Sequence, residues 1–255
     1  MQVPRKQLGV LLWLAGMVGG VSLLPVLPSI VSTLSDVELP ISVGLLRAVA
    51  LAQTGVLLAV AVLIGVFLAS RVGLRAPVAE AIVSRRSIMA ALRPQLGPGI
   101  VGGLVGGLAV SIVALLLLPY VPEEFVAAAR RLSLPLSVRF LYGGITEELL
   151  VRWGLMTLLV WLPYRIVQKG QGEVQVGYVV LAIAVSAIAF GAGHLPVASL
   201  LSPVLTAPLI LYVIIANAMF GIVAGVLYWQ RGLEAAMIAH MVAHVVMLSA
   251  ERIVY

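Results

Sequence analysis

Residues 143–155 read GGITEELLVRWGL and place Glu147, Glu148 and Arg152 inside a largely aliphatic segment. Burying a carboxylate away from water is costly unless it is paired or hydrogen-bonded, so a chain that keeps two of them side by side in apolar surroundings has a use for at least one. On an α-helix Glu148 and Arg152 stand four residues apart and pair, whereas Glu147 points about 100° round the axis toward something else. That leaves Glu147 as the free carboxylate. Ionisable groups at bilayer depth are functional candidates by default.

The surrounding composition says that the depth is that of a bilayer. The 255 residues are 62% hydrophobic and 10% charged, with a mean hydropathy of +1.16, whereas soluble domains are roughly half apolar and one quarter charged. The expected fold is all-α, a polytopic transmembrane helix bundle of about seven to eight spans, integral to the cell membrane and in contact with its lipid. The formal charge of +6 resides mainly in short loops, where cations set topology and meet anionic headgroups, and nucleic acid is not an expected partner. Without cysteine the chain has no disulfide framework, thiol nucleophile or thiolate metal site.

Working outward, the fourth span is expected over 135–163. Before it come an uncleaved first span within 1–34, a polar link at Asp36, Glu38 and Pro40, and a second span over 43–69. A basic loop or surface helix over 71–95 carries Arg71, Arg75, Arg85, Arg86 and Arg93. A third span over 96–120 follows, in which Gly99, Gly103 and Gly107 line one helix face for close packing. Residues 121–134 form a polar link. After the fourth span come a loop with Arg165, Lys169 and Glu173, a fifth span over 176–195, a sixth over 203–229 with a candidate break near Asn217, a turn at Arg231 and Gly232, and a seventh over 233–248. One membrane-embedded domain over 1–255 is expected, with three spans and the basic loop in 1–134 and the motif-bearing half in 135–255. With the amino terminus inside, the basic loops fall inside as well, although Arg130 and Arg131 run against this assignment.

Alternating antiparallel spans bring Glu147, His194, His240 and His244 toward one membrane face, and these are all the histidines in the chain. A lone transmembrane histidine is ordinarily a packing contact; three together with a buried glutamate are not. Such a set supports hydrolysis in two ways. Glu147, with His194, takes a proton from water while His240 and His244 donate to the developing oxyanion. Alternatively the imidazoles and a carboxylate hold a divalent metal such as zinc with an open position for water. The i, i+4 pair His240 and His244 has ligand spacing but lacks the glutamate of HExxH. No serine sits in a nucleophile-elbow pattern.

These residues also carry a family resemblance. EELLVR at Glu147–Arg152 resembles the EExxxR motif of the CAAX protease and bacteriocin-processing enzyme family, also called the Abi family. FGAGH at Phe190–His194 resembles its FxxxH motif, and His240 with His244 resembles its HxxxN motif. The resemblance runs from about Leu136 to the end of the chain, with three short motifs in the family's order on the fourth, fifth and last spans. It implies an intramembrane endopeptidase similar to the type II CAAX prenyl endopeptidases, which remove the last three residues of prenylated proteins. The family's water-activating glutamate falls on Glu147, its histidine partner on His194 and its oxyanion-binding position on His240. Its second glutamate and arginine fall on Glu148 and Arg152. His244 departs from the pattern, because the family commonly has asparagine there; imidazole also donates a hydrogen bond, and it also binds metal.

Two readings compete with a peptidase acting on a membrane-bound protein or peptide. One is a non-proteolytic scaffold or bacteriocin self-immunity protein, since relatives in the resembled family include such proteins. The other is a proton-coupled transporter, against which stands the lack of an internal repeat with paired broken helices. The charge distribution puts the motifs toward the outer half of the membrane, whereas a CAAX-type activity requires access from the cytoplasmic side.

Overall fold

The computed structural model describes residues 3–28, 42–132 and 134–254, so the expected link at Asp36, Glu38 and Pro40 lies outside the described residues. Among those described there is no strand, and seven helical segments are long and apolar enough to cross a membrane: Arg5–Leu23, Val43–Val72, Ile88–Tyr120, Leu136–Ile166, Val176–Leu201, Ala207–Gln230 and Leu233–Glu251. They are spans 1 to 7 below. The chain is an integral, multi-pass membrane protein.

Local sequence explains where the spans begin. Ser42, Ser87 and Thr206 each accept a hydrogen bond from a backbone N–H three residues on, at Leu45, Ala90 and Leu209, which satisfies one of the donors a helix start leaves open. Two short surface helices lie between spans, Pro77–Val83 and Glu123–Arg131. The second carries Glu123 and Glu124 in its first turn and Arg130 and Arg131 in its last, complementing the helix dipole. Span 7 is turned sharply against span 6 by Gly232, whose φ of 117° suits glycine. A Cβ there would also meet the Pro77 ring at 2.5 Å.

Large apolar side chains face outward on spans 2 and 3, among them Val56, Val60, Leu63, Val101, Leu104 and Leu108. Such a surface is stable only against lipid. Inward, close approach depends on small residues. Gly99, Gly103 and Gly107 of span 3 lie against Ile238, Val242 and Val246 of span 7; a Cβ on Gly103 would fall 2.5 Å from Val242 Cβ. Span 4 occupies the centre. Gly16 and Gly19 of span 1 meet its Leu149 and Thr146, and the Thr146 hydroxyl donates to Gly16 O at 2.7 Å. Trp153 packs on Gly65 of span 2 and edge-on to Tyr228 of span 6.

Three expectations need correction. Span 3 begins at Ile88, not near residue 96, so Arg93 and Gln95 belong to its helix. The reason is tertiary: buried Gln95 reaches across to accept from the Ala235 N–H at 2.9 Å, at the start of span 7. Span 6 is unbroken at Asn217, whose side-chain amide donates to Val213 O one turn back. The span 5 helix proper stops at Ala192, and His194 caps a separate short helix, Leu195–Leu201.

Candidate active site

The motif-bearing part of span 4 is not α-helical. Residues Arg139–Glu147 and Leu149–Met156 form π-helical turns, a geometry with i→i+5 bonding that recurs at functional sites in short stretches. The Thr157 hydroxyl takes up Arg152 O at 3.2 Å, five residues back. The α-helical angle of 100° between Glu147 and Glu148 therefore does not apply. Both carboxylates reach the same side chain. Glu148 Oε1 lies 2.7 Å from His240 Nδ1, and Glu147 Oε2 lies 3.9 Å from His240 Nε2. One imidazole stands between two glutamates, and Glu147 is not the isolated carboxylate that helical periodicity predicts.

Glu148 is fully buried and so is Arg152, whose Nε sits 3.2 Å from Glu148 Oε2. The i, i+4 pair is present, although its contact is off hydrogen-bond alignment, as is clear from the unpartnered Nε and Oε2 atoms. Arg152 Nη2 donates to Gly221 O of span 6 at 3.2 Å, and the guanidinium carbon lies 4.9 Å from the Phe190 ring centre. Arg152 thus neutralises Glu148 and ties spans 4, 5 and 6 together. A carboxylate on Nδ1 assigns the Nδ1–H tautomer to His240 and leaves the lone pair of the neutral ring on Nε2, facing Glu147.

The other histidines complete the cluster. His244 stacks on His240 with ring centres 5.0 Å apart. Its Nδ1 is buried without a partner, while its Nε2 approaches Gly143, where an added Cβ would stand 2.8 Å away. Glycine at 143 leaves the room that these rings occupy. His194 Nδ1 lies 2.8 Å from Phe190 O; a carbonyl only accepts, so this nitrogen carries the proton and Nε2 the lone pair. Phe190 sits edge-on to His194 at 4.8 Å and to His240 at 6.0 Å, and Phe220 flanks His240 at 4.5 Å.

The cluster therefore joins Glu147, Glu148, Arg152, His240 and His244 directly, and reaches His194 through Phe190. Sequence reading missed Phe220 and the Gly221 carbonyl, which carry no signal beyond an apolar helix pattern. Among the described residues no group of three or more histidine, cysteine or acidic side chains is arranged to hold a metal ion. With Nδ1 engaged, His240 and His194 each present Nε2, as metal-ligating histidines do, but among the described residues the converging donors fall short of the three that the zinc site raised by the histidine spacing needs, and the mechanism proposed for these residues uses no metal.

Residues 129–246 match the family model described as Rce1-like, type II CAAX prenyl endopeptidase Rce1-like. The segment that carries the site is similar to that family. It contains all six clustered residues and spans 4 to 6 entire, with most of span 7. No curated protein and no solved structure matches the chain. At the level of the family, the Rce1-like match supports a CAAX-type intramembrane protease acting on a membrane-bound substrate.

Proposed function

We propose that the protein is an intramembrane endopeptidase that hydrolyses a peptide bond of a membrane-bound, lipidated or CAAX-like substrate through a glutamate-activated water. The observation that carries this reading is the pair of carboxylates on the two edges of His240. A gap of 3.9 Å between His240 Nε2 and Glu147 Oε2 is too long for a direct hydrogen bond and suits two acceptors that share one water. Glu147 is also the less buried of the two glutamates, so substrate and water reach it first.

In this mechanism Glu147 takes a proton from the water as its oxygen adds to the scissile carbonyl carbon. The resulting oxyanion is met by an imidazole N–H, for which His244 Nε2 is the open position. Collapse of the tetrahedral species breaks the C–N bond, and the proton passes to the leaving amine. Buried Glu148 holds the ring of His240 by Nδ1–H and stabilises it when Nε2 binds a proton, as carboxylates do for catalytic histidines generally. His194, with its lone pair on Nε2, is a second acceptor at the rim. In this reading His240 acts as a proton acceptor, where the sequence-based expectation made it an oxyanion donor.

Cleavage of a membrane-anchored peptide library by purified protein in lipid tests this, comparing wild type with Glu147→Gln, each with and without a chelator. The variant is expected to lose about 10²–10⁴-fold in rate, with no effect of the chelator on wild type. Equal cleavage by both proteins would refute the glutamate mechanism, whereas cleavage by neither, with partner protection intact in the variant, would favour a scaffold or self-immunity role.

A further inference from the structure

Two openings adjoin the start of span 1, and Arg5 borders both. One is an apolar groove of about 780 Å³ between spans 1 and 2, with Trp13, Leu14, Leu63 and Phe67 in its walls and Arg5 and Lys6 at its end. Leu14, Leu63 and Phe67 are exposed, so the groove faces lipid. The other is a cavity of about 800 Å³ bordered by Ser70, Arg75, Glu80 and the buried Trp153. Both volumes fall within the range of small-ligand sites. They lie away from the catalytic cluster: Gly16 is the residue of span 1 that meets Leu149, and Arg5 stands about 16 Å further along that helix at the α-helical rise.

Helix packing does not account for the groove. Gly16 is present for close contact, since a Cβ there would stand 2.7 Å from a Leu58 methyl group. At Gly9, in the groove wall, a Cβ would meet nothing nearer than Val66 Cγ2 at 3.8 Å and Val62 Cγ1 at 3.9 Å. Those are ordinary van der Waals distances, so a larger side chain fits and glycine leaves the space open. An unfilled apolar space forfeits dispersion contacts, and on a membrane-facing surface the material at hand to fill it is an acyl chain. The length agrees. From Arg5 to Leu14 the groove runs about 13–14 Å at the helical rise, close to the hydrocarbon depth of one leaflet, about half of 30 Å.

The charge at the mouth selects the headgroup. Arg5 leans across to span 2, with its guanidinium carbon 5.9 Å from the centre of the Phe67 ring. Among the described residues neither Arg5 nor Lys6 pairs with a carboxylate, whereas Arg75 is held by Glu80 at 2.7 Å. Two uncompensated cations above an apolar groove complement an anionic headgroup above an acyl chain, and a guanidinium matches phosphate oxygens in geometry. We propose that the groove between spans 1 and 2 is a specific site for an anionic phospholipid of the bilayer, with its phosphate on Arg5 and Lys6, an acyl chain in the groove and the rest of its headgroup over the neighbouring polar cavity. The positive-inside rule puts this end of the bundle at the cytoplasmic leaflet, where anionic lipids gather. The site is independent of the peptidase reading.

Trp13 supplies the readout. The full chain is placed in phosphatidylcholine nanodiscs containing a phospholipid brominated on its acyl chains, with either a phosphatidylglycerol or a phosphatidylcholine headgroup. Quenching of Trp13 is the difference between wild type and Trp13→Phe. The anionic lipid is expected to reach half-maximal quenching at a mole fraction about 10- to 30-fold lower than the zwitterionic one, the effect of two cations at the membrane surface. Arg5→Gln/Lys6→Gln abolishes this preference, and Gly9→Leu, which fills the groove and keeps both cations, weakens it. Arg85→Gln/Arg86→Gln removes the same charge from residues that border neither opening and keeps it. Phosphatidylglycerol retained by wild type in native mass spectrometry, which needs no tryptophan change, is expected to fall in the same order across the variants. Equal quenching by the two lipids, no retained phosphatidylglycerol, or a preference untouched by Arg5→Gln/Lys6→Gln or by Gly9→Leu overturns the proposal. A preference lost with Arg85→Gln/Arg86→Gln also overturns it, because the general field of the basic end would then be the cause.

Discussion

Replacing Arg152 with methionine isolates the energetics on which the site depends. Arg152 and Glu148 are both completely buried, 3.2 Å apart. At an effective dielectric constant of 20 their attraction amounts to about 5 kcal/mol, and breaking a buried pair by deleting one partner costs about 3–5 kcal/mol because the surviving charge is stranded. Arg152→Met strands Glu148 with His240 as its remaining partner and also forfeits the bond to Gly221 O, worth about 1 kcal/mol. Against a total stability of about 5–15 kcal/mol, the single variant is expected to lose a third or more. The double variant Glu148→Gln/Arg152→Met removes the stranded charge and is expected to recover at least about 2 kcal/mol relative to the sum of the two single changes. Denaturant unfolding in detergent micelles with linear extrapolation measures each term. A single-variant loss below about 1 kcal/mol, or strict additivity in the cycle, would refute the claim that this pair is electrostatically coupled in a dry interior.

Other consequences follow from the packing and the charge distribution. Gly143→Ala sets a methyl group 2.8 Å from His244 Nε2 and 3.4 Å from His240 Nε2; peptide cleavage is expected to fall at least about tenfold while stability changes by about 1–3 kcal/mol, the usual cost of overpacking. Gly103→Leu, which collides with Val242 and the Ala239 carbonyl, is expected to separate spans 3 and 7, lowering stability by about 3 kcal/mol or more and activity with it. The third test concerns orientation. Arg5, Lys6, Arg71, Arg75, Arg85, Arg86, Arg165, Lys169 and Arg231 all lie at the end of the bundle remote from His244, and the positive-inside rule assigns that end to the cytoplasm. Because the chain has no cysteine, single variants report cleanly: in intact cells Glu124→Cys is expected to react with an impermeant maleimide and Lys169→Cys only after permeabilisation. The reverse pattern would place the catalytic mouth in the cytoplasm, where prenylated proteins are found.

The ion pair of Glu148 with Arg152 was readable in the sequence because it is local: four residues on one helix suffice to predict it. The packing face of Gly99, Gly103 and Gly107 was readable for the same reason, and so were the seven apolar runs, since hydropathy and length are properties of contiguous residues. The start of span 3 was not, because Arg93 makes residues 88–95 look like loop and only the distant amide of Ala235 explains the buried Gln95. Nor did periodicity foretell the π-helical turns of span 4, whose bonding differs by one residue from the α-helical pattern assumed in any reading by 3.6-residue repeat.

By itself, then, the sequence determined a membrane-spanning all-α chain, the order of its motifs, and the residue types available for acid, base and oxyanion chemistry. Which of those groups meet was decided by tertiary structure alone. Glu147 and Glu148 are neighbours in the chain yet take opposite edges of an imidazole some ninety residues away, and that arrangement exists only when spans 4 and 7 are packed. Short-range patterns record the free energy of burying a helix face, whereas the position of a proton depends on convergence of side chains from separate helices, each held by small-residue contacts and a buried charge pair that no single segment contains.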